Sequence, residues 1–223
     1  MVRSYDIPLL SMRMVHEFLI TEKYAIVPDL PVEFNPEEGM KHKRWIFHYS
    51  KDQPARYGIW PRNSPDGKDI KWFEVEPHYC FHYGGCWDTI NEKGEEIVTL
   101  YAVVMPNFYI GLQYKEHLVD DTYEGNRFEK FEFNISTLQV KRTILFDNLQ
   151  TEFPNLNQFY YGYKCRYCYL AYRPKKYGSQ SLSKTENSNI LFSGVLKFDM
   201  QEDKIVKQSC LGEDLFIGEI YYH

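Results

Sequence analysis

Two histidines stand in apolar, strand-like stretches of this 223-residue chain: His16 in Met14-Val15-His16-Glu17-Phe18-Leu19-Ile20-Thr21-Glu22, and His82 in Cys80-Phe81-His82-Tyr83-Gly84-Gly85-Cys86-Trp87-Asp88. An imidazole in apolar surroundings is costly unless it is hydrogen-bonded or ligates a metal. Neutral imidazole suits iron, zinc and copper, so two such residues far apart in sequence make a shared metal centre the first hypothesis. Two hydrogen-bonded core histidines would give the same pattern, and residue types alone leave both readings open. His78 lies four residues before His82. On a strand the two share a face but stand ~13 Å apart, too far to chelate one ion. Cys165 and Cys168 have zinc-knuckle spacing with no second pair, which reads as small buried side chains.

The elements that must position these residues read as short strands. Strands are expected over Met14–Thr21, Tyr24–Pro28, Trp45–Tyr49, Arg56–Trp60, Ile70–Glu74, Cys80–Asp88, Ile97–Met105, Phe128–Ile135, Val140–Phe146, Phe159–Tyr172, Ile190–Asp199, Lys204–Gln208 and Gly218–Tyr222. Turn signals such as Ser64-Pro65-Asp66-Gly67 and Asn91-Glu92-Lys93-Gly94 separate them, and Pro36–Lys43 has room for one helical turn. Pro174–Glu186, rich in Ser and Lys, reads as an exposed loop within one domain. Long periodic helices are absent, which disfavours doubly wound and barrel α/β folds. Many short strands at roughly 8–12-residue spacing point to a sandwich, barrel or propeller. Aromatic residues at 17% favour pleated sheet.

Hydrophobic residues at 43% and charged residues at 26% support a packed core. A net charge of -5 without a basic face argues against nucleic acid as a partner. Runs approaching the ~20 apolar residues of a membrane span are missing. With five irregularly spaced cysteines and no apolar leader in Met1–Asp6, the expectation is a cytoplasmic chain with reduced thiols, a plastid destination staying open if a leader precedes it.

Several segments, in order along the chain, resemble the carotenoid cleavage oxygenases, nearest the plant and microbial branch that includes the epoxycarotenoid dioxygenases. Met14-Val15-His16-Glu17-Phe18-Leu19-Ile20-Thr21-Glu22-Lys23-Tyr24 is similar to that family's Met-Met-His-Asp-Phe-Ala-Ile-Thr-Glu-Asn-Tyr. Ala55-Arg56-Tyr57-Gly58-Ile59-Trp60 resembles Ala-Arg-Phe-Gly-Ile-Leu, and Ile70-Lys71-Trp72 through Cys80-Phe81-His82 resembles Ile-Lys-Trp followed by Cys-Phe-His. Glu152-Phe153-Pro154-Asn155-Leu156-Asn157 is similar to Glu-Phe-Pro-Arg-Ile-Asn, and Gly218-Glu219 to a Gly-Glu-Pro turn.

The resemblance implies an all-β fold, a partial seven-bladed β-propeller of about three to four blades formed by residues 1–223 as a single domain. It implies iron(II) on the propeller axis, held by four histidines with glutamates behind three of them. His16 and His82 correspond to the second and third ligands, Glu152 and Glu219 to two of the supporting carboxylates. The implied reaction is O2-dependent cleavage of a conjugated double bond in a carotenoid or apocarotenoid. Peripheral membrane contact at a tunnel mouth also belongs to the family picture, with aromatics such as Phe81, Tyr83, Trp87, Phe108 and Tyr109 as tunnel candidates. The first and fourth ligands have no counterpart, and His223 does not match the fourth. The family's Asn-Ala after the third ligand is replaced by Gly85-Cys86, and its acid is shortened to Asp88. The expectation is therefore a truncated chain with weak or no activity alone, unless a companion chain supplies the missing blades. The rival expectation is a non-catalytic propeller fragment that binds an apolar ligand or a protein partner.

Overall fold

A computed structural model describes residues 4, 6–43, 46–108, 126–173, 192–212 and 215–221. Its strands are β1 (Leu19–Ile20), β2 (Tyr24–Asp29), β3 (Val32–Phe34), β4 (Phe47–Tyr49), β5 (Ala55–Pro61), β6 (Lys71–Val75), β7 (Tyr83–Ile90), β8 (Glu96–Val104), β9 (Arg127–Asn134), β10 (Val140–Phe146), β11 (Gln150–Asn155), β12 (Tyr167–Arg173), β13 (Gly194–Asp199) and β14 (Lys204–Cys210). They form three four-stranded antiparallel sheets, ordered β1-β2-β5-β6, β7-β8-β9-β10 and β11-β12-β13-β14, with β3 and β4 pairing separately. Each four-stranded sheet is one propeller blade with strands in chain order from the inside out. The first strands of the blades, β1, β7 and β11, are neighbours: β7 touches both of the others. The described blades do not close a ring, so the fold is a partial β-propeller.

Helix α1 (Pro36–His42) sits between β3 and β4. Asn35 caps it by accepting the Glu38 N–H at 3.1 Å, Pro36 opens it, and Lys43 ends it in the left-handed region. The sequence reading expects one helical turn at Pro36–Lys43; the helix there runs 7 residues, about two turns.

The central blade explains why its sequence alternates only loosely. Both of its faces are buried, so neither can be uniformly polar. On β8, Val98, Leu100, Ala102 and Val104 face the first blade while Tyr101 and Val103 face the third. On β9, Phe131 and Phe133 join the first interface and Phe128 the second. Glu129 is fully buried there and pairs with Arg142 on β10. The second interface packs Phe198 against Phe128, Tyr101 and Phe146.

Several expected boundaries move. The strand expected at Met14–Thr21 reduces to Leu19–Ile20, and that at Cys80–Asp88 starts at Tyr83. His16 and His82 thus precede their strands instead of lying within them. The segment Phe159–Tyr172 becomes a 3-10 turn (Gln158–Tyr160) followed by β12, because the chain turns through Gly162 at φ 84°. Residues 218–221 form no strand; Phe192 and Ile217 make an isolated bridge nearby. Trp45, Tyr109, residues 174–191, Tyr222 and His223 lie outside the described residues. Strands β3 and β11 arise where the sequence reading expects none.

Truncating Phe198 to alanine removes the ring at the centre of the second interface. We expect Phe198→Ala to lower unfolding free energy by about 3–5 kcal/mol, read from urea denaturation.

Candidate metal centre

Antiparallel geometry dictates what the inner edge of β7 presents. The carbonyl of His82 accepts the Val103 N–H of β8 at 3.3 Å. Phe81 and Tyr83, one residue to either side, therefore turn their backbone groups to the opposite, inner edge. Among the described residues no strand pairs with that edge. The segment approaching β1 covers it with side chains. His16 Nδ1–H donates to the Phe81 carbonyl at 3.2 Å, and Glu17 Oε2 accepts the Tyr83 N–H at 3.2 Å. Further along, the Cys86 thiol donates to the Ile20 carbonyl at 3.1 Å, and the Lys23 N–H donates to Asp88 at 3.1 Å. The shortened acid Asp88 and the substituted Cys86 both serve this lacing. Burial pushes the Cys86 thiol up to about 12, so it stays protonated.

His82 is bound from the other side. Its Nδ1–H donates to Glu152 Oε2 at 2.8 Å. The chain achieves this reach through an irregularity in β11: pairing with β12 slips between Glu152 and Asn155, and Phe153 takes φ 51°. Glu152 Oε2 also accepts the Phe153 N–H at 2.6 Å. Glu152 Oε1 is buried and has no hydrogen-bond partner among the described residues.

These bonds fix the chemistry of both rings. A carbonyl and a carboxylate oxygen can only accept here, so Nδ1 carries the proton in each neutral ring and each Nε2 keeps its lone pair. The two rings lie 5.1 Å apart between centroids, edge to face at 84°. The structure thus brings together the two histidines that are 66 positions apart in sequence. It does not do so by burial: His16 is exposed and His82 half-buried. Residues 14–18 run along the blade edge without a ladder partner, so the apolar-run argument does not apply to His16.

Beside the His82 ring lies a cavity of about 380 Å³, lined in part by Glu17, His82, Phe153, Tyr161, Glu219 and Tyr221; His16 does not line it. Asn155 donates to the Ile220 carbonyl at 2.5 Å and so tethers the segment bearing Glu219. Glu219 accepts the Tyr221 hydroxyl at 3.2 Å and bonds neither described imidazole. Of the expected tunnel aromatics, Tyr83 lines this cavity, whereas Trp87 and Phe108 are core residues. Burial disfavours protonation of His82, but the Glu152 hydrogen bond and the charges of Glu152, Glu17 and Glu219 outweigh it and raise its pKa. Glu17, given no role by the sequence reading, is raised by burial, with the His82 charge and the Tyr83 N–H opposing and the Glu152 charge adding to the rise. An acid next to His16, aligned with the acid of the family motif, was the available signal.

His78 is the contrasting case. It is fully buried, its Nδ1–H donates to the Glu76 carbonyl at 2.7 Å, and its Nε2 accepts the Tyr57 hydroxyl at 3.0 Å. Burial pushes it down to about 3, so it is a neutral core histidine. Cys165 and Cys168 are both free thiols, Cys168 buried. Among the described residues no cluster of three or more His, Cys, Asp or Glu side chains is arranged to hold a metal.

A family model described as retinal pigment epithelial membrane protein (RPE65) matches residues 1–221. The chain belongs to the RPE65 and carotenoid cleavage dioxygenase family. It is similar to carotenoid 9,10(9',10')-cleavage dioxygenase 1 of Pisum sativum, 32% identical over 191 residues that make 85% of this chain and 32% of that protein. It is also similar to 9-cis-epoxycarotenoid dioxygenase NCED6, chloroplastic, of Arabidopsis thaliana, 26% identical over 76% of this chain and 28% of that protein. The chain therefore spans about a third of the length of these relatives. Among solved structures it is similar to cobalt-substituted Synechocystis ACO, with a TM-score of 0.67 and 19% identity, covering 92% of this chain and 40% of that one. That likeness carries the propeller fold. No helix among the described residues is long and apolar enough to cross a membrane.

A proton titration follows from the carboxylates around His82. Its folded pKa lies above the ordinary value, so the stabilisation is full below about pH 6.5 and fades as pH rises through the folded value. We expect histidine NMR of the metal-free chain to place the His82 midpoint above that of an exposed histidine. Glu152→Gln should move it below, since burial then dominates, while His78 stays neutral down to about pH 4 in both proteins.

Proposed function

We propose that this chain supplies the axial core of an iron(II)-dependent dioxygenase that cleaves a conjugated double bond of a carotenoid or apocarotenoid with O2. The supporting observation is the pair of facing imidazoles, each with Nδ1 spent on a protein acceptor and Nε2 free.

The residues present fit half of such a metal site. Two imidazoles that share one ion through bonds of ~2.1 Å have centroids ~4.5–5.2 Å apart for bond angles of about 90–110°; the observed 5.1 Å falls in that range. The donors are soft-to-borderline nitrogens suited to iron(II). The orphaned Glu152 Oε1 and the carboxylates of Glu17 and Glu219 favour positive charge at this place. Two nitrogens are half of the four-histidine set implied by the family resemblance. The reading accordingly assigns the isolated chain weak metal binding and little turnover, with the missing blades contributed by further sequence or a companion chain.

Within this reading His16 and His82 hold the iron through Nε2. Glu152 accepts the His82 Nδ1–H, which fixes the ring and raises the basicity of Nε2. Glu219 is the carboxylate available to a further imidazole. When bound, iron(II) supplies the redox chemistry by which O2 is joined to the two carbons of the cut bond. Phe153, Tyr161 and Tyr221 offer flat apolar walls to a polyene and limit water at the cavity. None of the described side chains needs to act as a general acid or base. Among the described residues the cysteines form no disulfide, and a reducing setting is part of the proposal.

The non-catalytic alternative is favoured by the exposure of His16 and the absence of a third donor among the described residues. Metal analysis separates the two readings. The purified chain incubated with iron(II) should retain it, and His82→Ala should retain at least about tenfold less. Equal iron in both proteins would remove the metal assignment and leave the binding fragment. Conversion of a conjugated polyene, followed by absorbance, should be slow in the chain and absent in the variant.

A further inference from the structure

We propose that Glu17 is a positioning residue of the metal site, holding His16 against His82 by accepting the backbone N–H of Tyr83. This deepens the iron-site reading above and rests on it. The structural case starts from the edge of β7. Phe81 and Tyr83 flank His82 and turn a carbonyl and an N–H toward the axis, where no strand among the described residues pairs with them. Consecutive residues of the opposing segment take both groups, His16 the carbonyl and Glu17 the N–H, each at 3.2 Å. The pair forms a clasp around His82: its two neighbours are gripped by His16 and by the residue next to His16.

The clasp matters because little else fixes residues 15–18. Upstream, the Met14 N–H donates to the Val32 carbonyl and the Met14 carbonyl accepts the Tyr79 hydroxyl at 3.2 Å. Downstream, pairing with β2 begins only at Leu19. Between those anchors, the described hydrogen bonds are the two of the clasp. The His16 bond alone leaves a pivot for the backbone of residues 15–18, while the ring itself meets Phe81 and His82 edge to face at 5.1 Å. The Glu17 bond adds a second point one residue away and converts the pivot into a fixed orientation. Tyr83 is buried, so without Glu17 its N–H would be left facing the axis with no acceptor.

The test uses the full chain with three substitutions: Glu17→Ala removes the acceptor, Glu17→Gln keeps an acceptor oxygen without charge, and His82→Ala reports on the metal site itself. Cobalt(II) affinity is measured by calorimetry. The Nδ1/Nε2 chemical shifts of His16 are read by 15N NMR on the metal-free protein at one fixed pH, and thermal unfolding is followed alongside. We expect Glu17→Ala to weaken cobalt binding about tenfold, and to move His16 from a single Nδ1–H form toward a mixture of tautomers. Glu17→Gln should stay within about threefold of the parent and keep the parent tautomer. The remaining ties through Cys86 and Asp88 should keep the fold intact. Unchanged cobalt affinity and His16 signature in Glu17→Ala would overturn the proposal, as would equal losses in the Ala and Gln variants. If cobalt binding proves indifferent to His82→Ala, the iron-site reading falls. The His16 tautomer signature then still decides whether the clasp exists.

Discussion

The inner strands of adjacent blades have no backbone ladder between them, and everything at the axis depends on how that gap is laced. An unpaired strand edge leaves donors and acceptors that must be satisfied when buried. Between β1 and β7 they are satisfied by side chains reaching to backbone: His16 to Phe81, Glu17 to Tyr83, Cys86 to Ile20 and Asp88 to Lys23. Between β7 and β11 the link is His82 to Glu152. Because the lacing uses Nδ1 of both histidines, it leaves both Nε2 lone pairs unspent. The same bonds that join the blades therefore leave both rings in the form that the proposed iron site requires.

Blade packing supplies the rigidity that this arrangement needs. The central sheet is buried on both faces, with aromatic residues interdigitating toward each neighbour. Its inner strand cannot shift without disturbing both interfaces. The irregularity at Glu152–Asn155 then aims one carboxylate at His82, while Asn155 anchors the segment carrying Glu219. One short stretch of β11 thus serves both sides of the cavity.

The sequence made the class of fold legible because β-branched and aromatic residues cluster between clear turn signals. Strands in the middle of the chain, β2, β5 and β8 to β10, fall close to the expected positions. The ends of blades were harder to read. Met14–Phe18 has a strand-like pattern but lies along an edge that pairs through side chains, and periodicity cannot distinguish the two. Strand β11 contains Pro154, which argues against a strand in sequence, and the structure interrupts its ladder at Phe153, which takes positive φ. The histidines and Glu152 were legible through their resemblance to family motifs, and their meeting in space required the fold. For Glu17 the one signal was its alignment with the acid of the family motif, since a carboxylate bound to backbone leaves no spacing signature of its own.

The central claim is that His16 and His82 turn their Nε2 atoms to one point. Anomalous X-ray diffraction from crystals of the chain soaked in iron(II) tests it most directly. The account predicts a single iron peak within ~2.3 Å of both Nε2 atoms. Iron bound to one ring alone, or density elsewhere with the two Nε2 atoms facing apart, would contradict it.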